Sequence, residues 1–181
     1  MTTTTLKLNL GPQHPSTHGV LRLLLELDGE KIISCEPDVG YLHRGMEKMA
    51  EKLSYIQYLP MVDRIDYLAG FFYSELLCRI VEKALEIEIP DKVRAIRVML
   101  LELNRISSHL LWIGAFLMDL GAVSPFFYAF REREMILRYF EKISGQRMMY
   151  NYFVFGGVRR EISNLEDVEE ILRVLPEKLE D

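Results

Sequence analysis

Apolar and polar residues alternate along Leu6–Leu10, the two-residue period of a short strand. Val20–Leu27 and Lys31–Cys35 flank Asp28-Gly29, a dipeptide suited to a two-residue hairpin turn. Residues 1–40 are therefore predicted to form a small antiparallel sheet. From Gly40 onward the apolar spacing turns helical. A short helix is predicted over His43–Lys52 and a longer one from Asp63 to about Glu86. A third opens at Pro90-Asp91 and runs to Gly121, where glycine stops it. Ser124 as N-cap with Pro125 at N1 starts a fourth, which ends near Gly145. Tyr152–Val158 reads as a short β-like run, and a last helix is capped by Asn164. The fold class is α+β: a sheet domain over 1–40, then a bundle of long antiparallel helices over 41–181. The pattern is still helical at Pro176–Asp181, as in a truncated or naturally split chain.

Composition narrows the class. With 49% hydrophobic and 27% charged residues in 181, the chain can bury a sizeable core. No N-terminal basic patch joins an apolar run, so no signal peptide is expected. The longest uncharged stretch within a predicted helix, Ile106–Met118, falls short of the about 20 apolar residues a membrane helix needs. A soluble or peripheral protein is expected. The net charge of -5 is local, because residues 161–181 carry eight acids against Arg173 and Lys178. The remainder is close to neutral and does not suggest a nucleic-acid surface. The two cysteines, Cys35 and Cys78, cannot supply a four-thiolate cluster. No metal is expected on this chain, so any redox metal belongs to a partner.

Four segments carry candidate chemistry. Gly11-Pro-Gln-His-Pro-Ser-Thr-His-Gly19 is a stiff loop presenting two imidazoles, which can hydrogen-bond a carbonyl or deliver a proton near neutral pH. The same histidines could simply satisfy nearby backbone. Gly40–Lys48 and Met61–Tyr67 are dense in ionisable groups. If Asp63–Tyr67 is helical, Arg64 and Tyr67 lie one turn apart, as do Asp63 and Asp66; a surface salt-bridge cluster would look the same. The third helix carries Glu102, Arg105, His109, Trp112, Phe116 and Asp119 at helical spacing, with an internal ion-pair ladder expected in its upper part. Asp119 sits against the helix dipole, where a buried carboxylate lacking a partner would have a raised pKa. A solvent-facing aspartate fits the spacing equally.

Gly11–Gly19, Gly40–Lys48, Asp63–Tyr67 and Ser124–Glu134 in this order closely resemble the quinone-site subunit of respiratory complex I, in register over about residues 6–160. The resemblance implies that His18 and Tyr67 hydrogen-bond the quinone headgroup and that Asp119 pairs with His18. It implies that Arg44 and Arg64 lie beside a 4Fe-4S cluster ligated by the neighbouring small subunit. The implied partners are that small subunit, other peripheral-arm subunits and the membrane-arm subunits, with NAD(H) acting through distant subunits. The implied setting is the cytoplasmic side of a bacterial cell membrane, peripherally bound.

The segment is also similar to the nickel–iron hydrogenase large subunit, in which Arg-Ile is followed by two metal-binding cysteines. Asp66 and Ala69 occupy those positions here, and soft-metal binding needs thiolates. A hydrogenase-like metalloenzyme and a non-catalytic scaffold fragment are the alternatives. After Gly145-Gln-Arg147 many complex I members carry a histidine near the cluster, whereas this chain has Met148-Met149. Within the resemblance, Tyr67 and an Asp119-held His18 supply protons to the reduced quinone, Arg64 stabilises a transient phenolate, and the change in charge is passed to pumping subunits.

Overall fold

The computed structural model describes residues 5–13, 20–162 and 165–180, with the side chains of 179 and 180 excepted. The chain divides into two compact units, Met1–Met46 and Glu47–Asp181.

In the first unit, β1 (Leu6–Leu10), β2 (Arg22–Asp28) and β3 (Lys31–Asp38) form an antiparallel sheet in the order β1-β2-β3. The register sets Leu8 opposite Leu25 and Leu25 opposite Cys35, so the odd-spaced leucines of β1 and β2 share one face. Gly29 closes the β2–β3 hairpin at φ +63°, a conformation glycine adopts without steric cost. β3 runs three residues beyond the predicted Cys35. Its added end is held by Arg22, whose guanidinium donates to Asp38 at 3.0 Å and to Asn9 at 3.2 Å. Pro37 is tolerated there because β3 is an edge strand.

The second unit is mainly helical: α1 (Met46–Lys52), α2 (Tyr55–Val62), α3 (Gly70–Ala84), α4 (Asp91–Asp119) and α5 (Ser124–Ser144). A two-stranded hairpin, β4 (Phe153–Val154) with β5 (Gly157–Val158), and α6 (Glu166–Glu180) complete it. The architecture is α+β, as the sequence predicts.

Several boundaries differ from the predicted ones. Gly45 at φ +63° keeps residues 43–45 out of α1. Ser54 begins α2 with a capping box, its side chain accepting from Gln57 N–H while the Gln57 side chain accepts from Ser54 N–H. The helix predicted from Asp63 to about Glu86 begins only at Gly70, because residues 63–69 form a turn after α2, a helix the spacing did not predict. The N-cap of α5 is Val123, one residue earlier than Ser124. Pro125 still falls in the first turn, where its missing N–H costs nothing. Asn164, the predicted cap of α6, lies outside the described residues.

α4 and α5 pack closely where glycine removes bulk: a Cβ at Gly114 would stand 3.2 Å from Ala129 Cβ. The core beneath the 63–69 turn is aromatic. Phe71 stacks on Tyr150 with centroids 4.1 Å apart, and Phe140 meets it edge-on at 5.1 Å.

The buried ionic network is not the ladder predicted on α4. Glu102 and Arg105 pair with each other at 2.9 Å while half exposed, which stabilises little. Arg97 is the buried cation. It donates to Glu82 at 2.7 and 3.0 Å, to Glu75 at 3.1 Å, and to the carbonyls of Val154 and Gly157 at 2.8 and 3.0 Å. These bonds tie α3, α4 and the β4–β5 hairpin together.

Candidate functional site: a pinned turn presenting Tyr67

The turn between α2 and α3 is held from below at both ends. At its start, Asp63 is fully buried. Its carboxylate accepts from the Ser74 hydroxyl on α3 and, at 2.6 Å, from the Asn151 N–H. Burial pushes its pKa above the ordinary value, while Ser74, the Asn151 amide and the Arg64 charge pull it back only in part. Near its end, the Leu68 carbonyl accepts from Asn104 Nδ2 of α4 at 2.8 Å. Asn104 is also buried.

Between these anchors the backbone leaves the helix for a local reason. Asp66 Oδ1 accepts from Leu68 N–H at 3.0 Å, a side-chain turn that competes with helical hydrogen bonding. The Ala69 amide donates to the Asp66 carbonyl at 3.1 Å, and the Arg64 guanidinium donates to the Pro60 carbonyl. Asp66 and Ala69, the positions compared with metal-binding cysteines, are therefore both part of the turn. Arg64 is half-buried, whereas Asp66 and Tyr67 are exposed. Tyr67 keeps 49% of its surface open. The helical spacing expected for Arg64 and Tyr67 does not apply, because the segment is a turn.

Asp119 is the last residue of α4 and is exposed, so the burial considered for it is not found. Asn104 and Asp119 lie on one continuous helix, separated along its axis by about 22 Å at 1.5 Å per residue. The Tyr67 turn is thus anchored beside the middle of α4 and Asp119 stands at its end. Arg44 is exposed just before α1 in the first unit. His18 and His14 lie outside the described residues. Met149 sits at φ +59° and Asn151 at φ +43°, strained positions for non-glycine residues. Arg159 holds Asn151 by donating to its carbonyl at 2.9 Å and to its side chain at 3.2 Å.

Sequence reasoning missed the buried anchors. Asp63 looked like one more charge in a polar cluster. Asn104 carried a weak signal, as an amide between Leu103 and Arg105 that shares a helix with many apolar residues. Among the described residues no group of three or more His, Cys, Asp or Glu side chains is placed to hold a metal ion. No helix among them is long and apolar enough to cross a membrane.

Comparison with known proteins places this chain in a family. Residues 119–181 match the family described as respiratory-chain NADH dehydrogenase, 49 Kd subunit. The chain is 58% identical over 154 residues to a chloroplastic NAD(P)H-quinone oxidoreductase subunit of Zea mays. The same identity over the same length holds for the corresponding subunits of Sorghum bicolor and Panax ginseng. The chain belongs to this 49 kDa subunit family. The alignments cover 85% of the chain and 39% of each relative, so the chain spans about two fifths of the length of these relatives. They are chloroplastic by name, whereas the sequence reading places this chain at a bacterial membrane.

Proposed function

We propose that this 49 kDa-family chain helps to form the quinone-reduction site of a proton-translocating NADH-quinone oxidoreductase. One observation carries the reading: a tyrosine stands half exposed on a turn whose two ends are fixed by hydrogen bonds to buried side chains. The chain that holds it is 58% identical to subunits named for quinone oxidoreduction. A fixed, accessible phenol is the group needed to hold a headgroup carbonyl and give it a proton.

In this reading Tyr67 and His18 hydrogen-bond the two headgroup oxygens, and Asp119 holds His18 as an imidazolium. Arg44 and Arg64 would lie beside a partner's 4Fe-4S cluster, which would supply the electrons. As the quinone oxygens gain charge they become basic enough to take the Tyr67 proton, since a phenol has a reference pKa of about 10. Arg64, close in sequence and positively charged, lowers the cost of the phenolate left behind. The partners are the iron–sulfur small subunit, the other peripheral-arm subunits and the membrane arm, with NAD(H) bound on distant subunits. The assembly is peripheral to a membrane, and loss of charge at the site is passed on to proton pumping.

A photoreactive short-chain quinone applied to the assembled complex tests the placement. Labelling of the peptide that contains Tyr67, suppressed by excess unmodified quinone, is expected. Competable labelling confined to other subunits would refute the proposal.

A further inference from the structure

The proposed function uses Tyr67 but leaves two buried polar side chains beside it without a task. Asp63 and Asn104 are both almost completely buried, and each holds one end of the same turn. Their burial is costly. An ionised carboxylate away from water is disfavoured even when hydrogen-bonded. Asn104 Oδ1 is buried with no hydrogen-bond partner among the described residues, a penalty that leucine at the same position would not incur. What the two side chains obtain in return is geometric. Asp63 joins the start of the turn to Ser74 on α3 and to the backbone of Asn151. Asn104 joins the residue after Tyr67 to α4. Together they leave the intervening residues little freedom.

We infer that Asp63 and Asn104 are positioning residues, which act through the turn to hold the Tyr67 hydroxyl where the quinone headgroup can meet it. This rests on the proposed quinone role of Tyr67. It sets two requirements that a merely structural role would not. The effect of either residue on turnover must vanish once the hydroxyl is gone. At position 63, hydrogen-bonding shape must matter and charge must not. Asparagine keeps that shape: its Oδ1 accepts from the Asn151 N–H while its NH2 donates to Ser74 Oγ, whose proton already has an alternative acceptor in the Gly70 carbonyl at 3.1 Å.

The test is steady-state quinone reduction by the assembled complex carrying Asn104→Leu, Asp63→Asn or Asp63→Ala, each with and without Tyr67→Phe. Electron transfer to an artificial acceptor upstream of the quinone reports assembly. Asn104→Leu is expected to lower quinone kcat/KM at least fivefold with the upstream rate unchanged, and to have less than a twofold effect beside Tyr67→Phe. Asp63→Asn is expected to stay within threefold of the unsubstituted complex, and Asp63→Ala to behave like Asn104→Leu. If Asp63→Ala does not assemble, Asn104→Leu and Asp63→Asn still decide the matter. An Asn104→Leu loss of equal size in both backgrounds, no loss at all, or an Asp63→Asn collapse would overturn the inference while leaving a slow Tyr67→Phe enzyme to support the quinone role. A Tyr67→Phe enzyme with undiminished quinone reduction would remove that role itself, and the inference with it.

Discussion

Asp63 shows how a single residue trades stability for position. Its folded-state pKa is raised, chiefly by burial, so the ionised form is less well accommodated in the folded chain than in the unfolded one. A raised pKa gives a contribution that is fully present below the unfolded value and is lost as pH rises through the folded value. Asp63→Asn, which retains the hydrogen bonds without the charge, is therefore expected to be more stable than the unsubstituted chain at pH 7. The gap should shrink as pH falls toward about 4, the ordinary aspartate value. Urea denaturation at the two pH values measures this, and a variant less stable at pH 7 would contradict it. Tyr67 and Asp63 were both visible in the sequence as members of an ionisable cluster. Their division into an exposed phenol and a buried anchor was not, because residue spacing does not say which side of a turn faces the core.

At the level of elements, the sheet and helices were largely legible because their signals are local: Asp28-Gly29, the stops at Gly121 and Gly145, and the proline near the start of α5. Neither α2 nor the turn over 63–69 that precedes α3 was legible. Apolar residues continue across 63–69, and the Asp66 side-chain bond that diverts the backbone has no periodicity. The Arg97 network was missed for a related reason. Its partners come from α3 and from the β4–β5 hairpin, far apart in sequence. Burial acts to raise the Glu82 pKa, but the hydrogen bond from Arg97, the Gly156 N–H at 2.8 Å and the nearby guanidinium charges outweigh it and hold Glu82 below the usual range. A lowered carboxylate pKa contributes stability above the unfolded value that is lost as pH falls through the folded value. Glu82→Gln should thus cost about 3–5 kcal/mol at neutral pH, as when one partner of a buried ion pair is removed. It should also flatten the loss of stability on acidification. Denaturant midpoints between pH 7 and 4 check both; an unchanged acid limb would show that Glu82 is not the group responsible.

The whole molecule comprises a sheet unit and a helical unit, and the proposed chemistry draws on both. His18 belongs to the sequence of the first and Asp119 to that of the second. If they act together, His18→Ala and Asp119→Asn should be non-additive in quinone turnover, with a coupling of about 0.5–3 kcal/mol. Strict additivity would assign Asp119 another partner. The central claim, that Tyr67 serves the quinone, is tested most directly by Tyr67→Phe in the assembled complex. Loss of the hydroxyl removes a headgroup hydrogen bond and a proton donor while keeping the ring. Quinone reduction should fall by more than about tenfold, a bound set below the about 100-fold or more that a positioned general acid typically supplies, while transfer to an upstream artificial acceptor is unaltered. Quinone reduction at the unsubstituted rate in a fully assembled Tyr67→Phe complex would contradict the account.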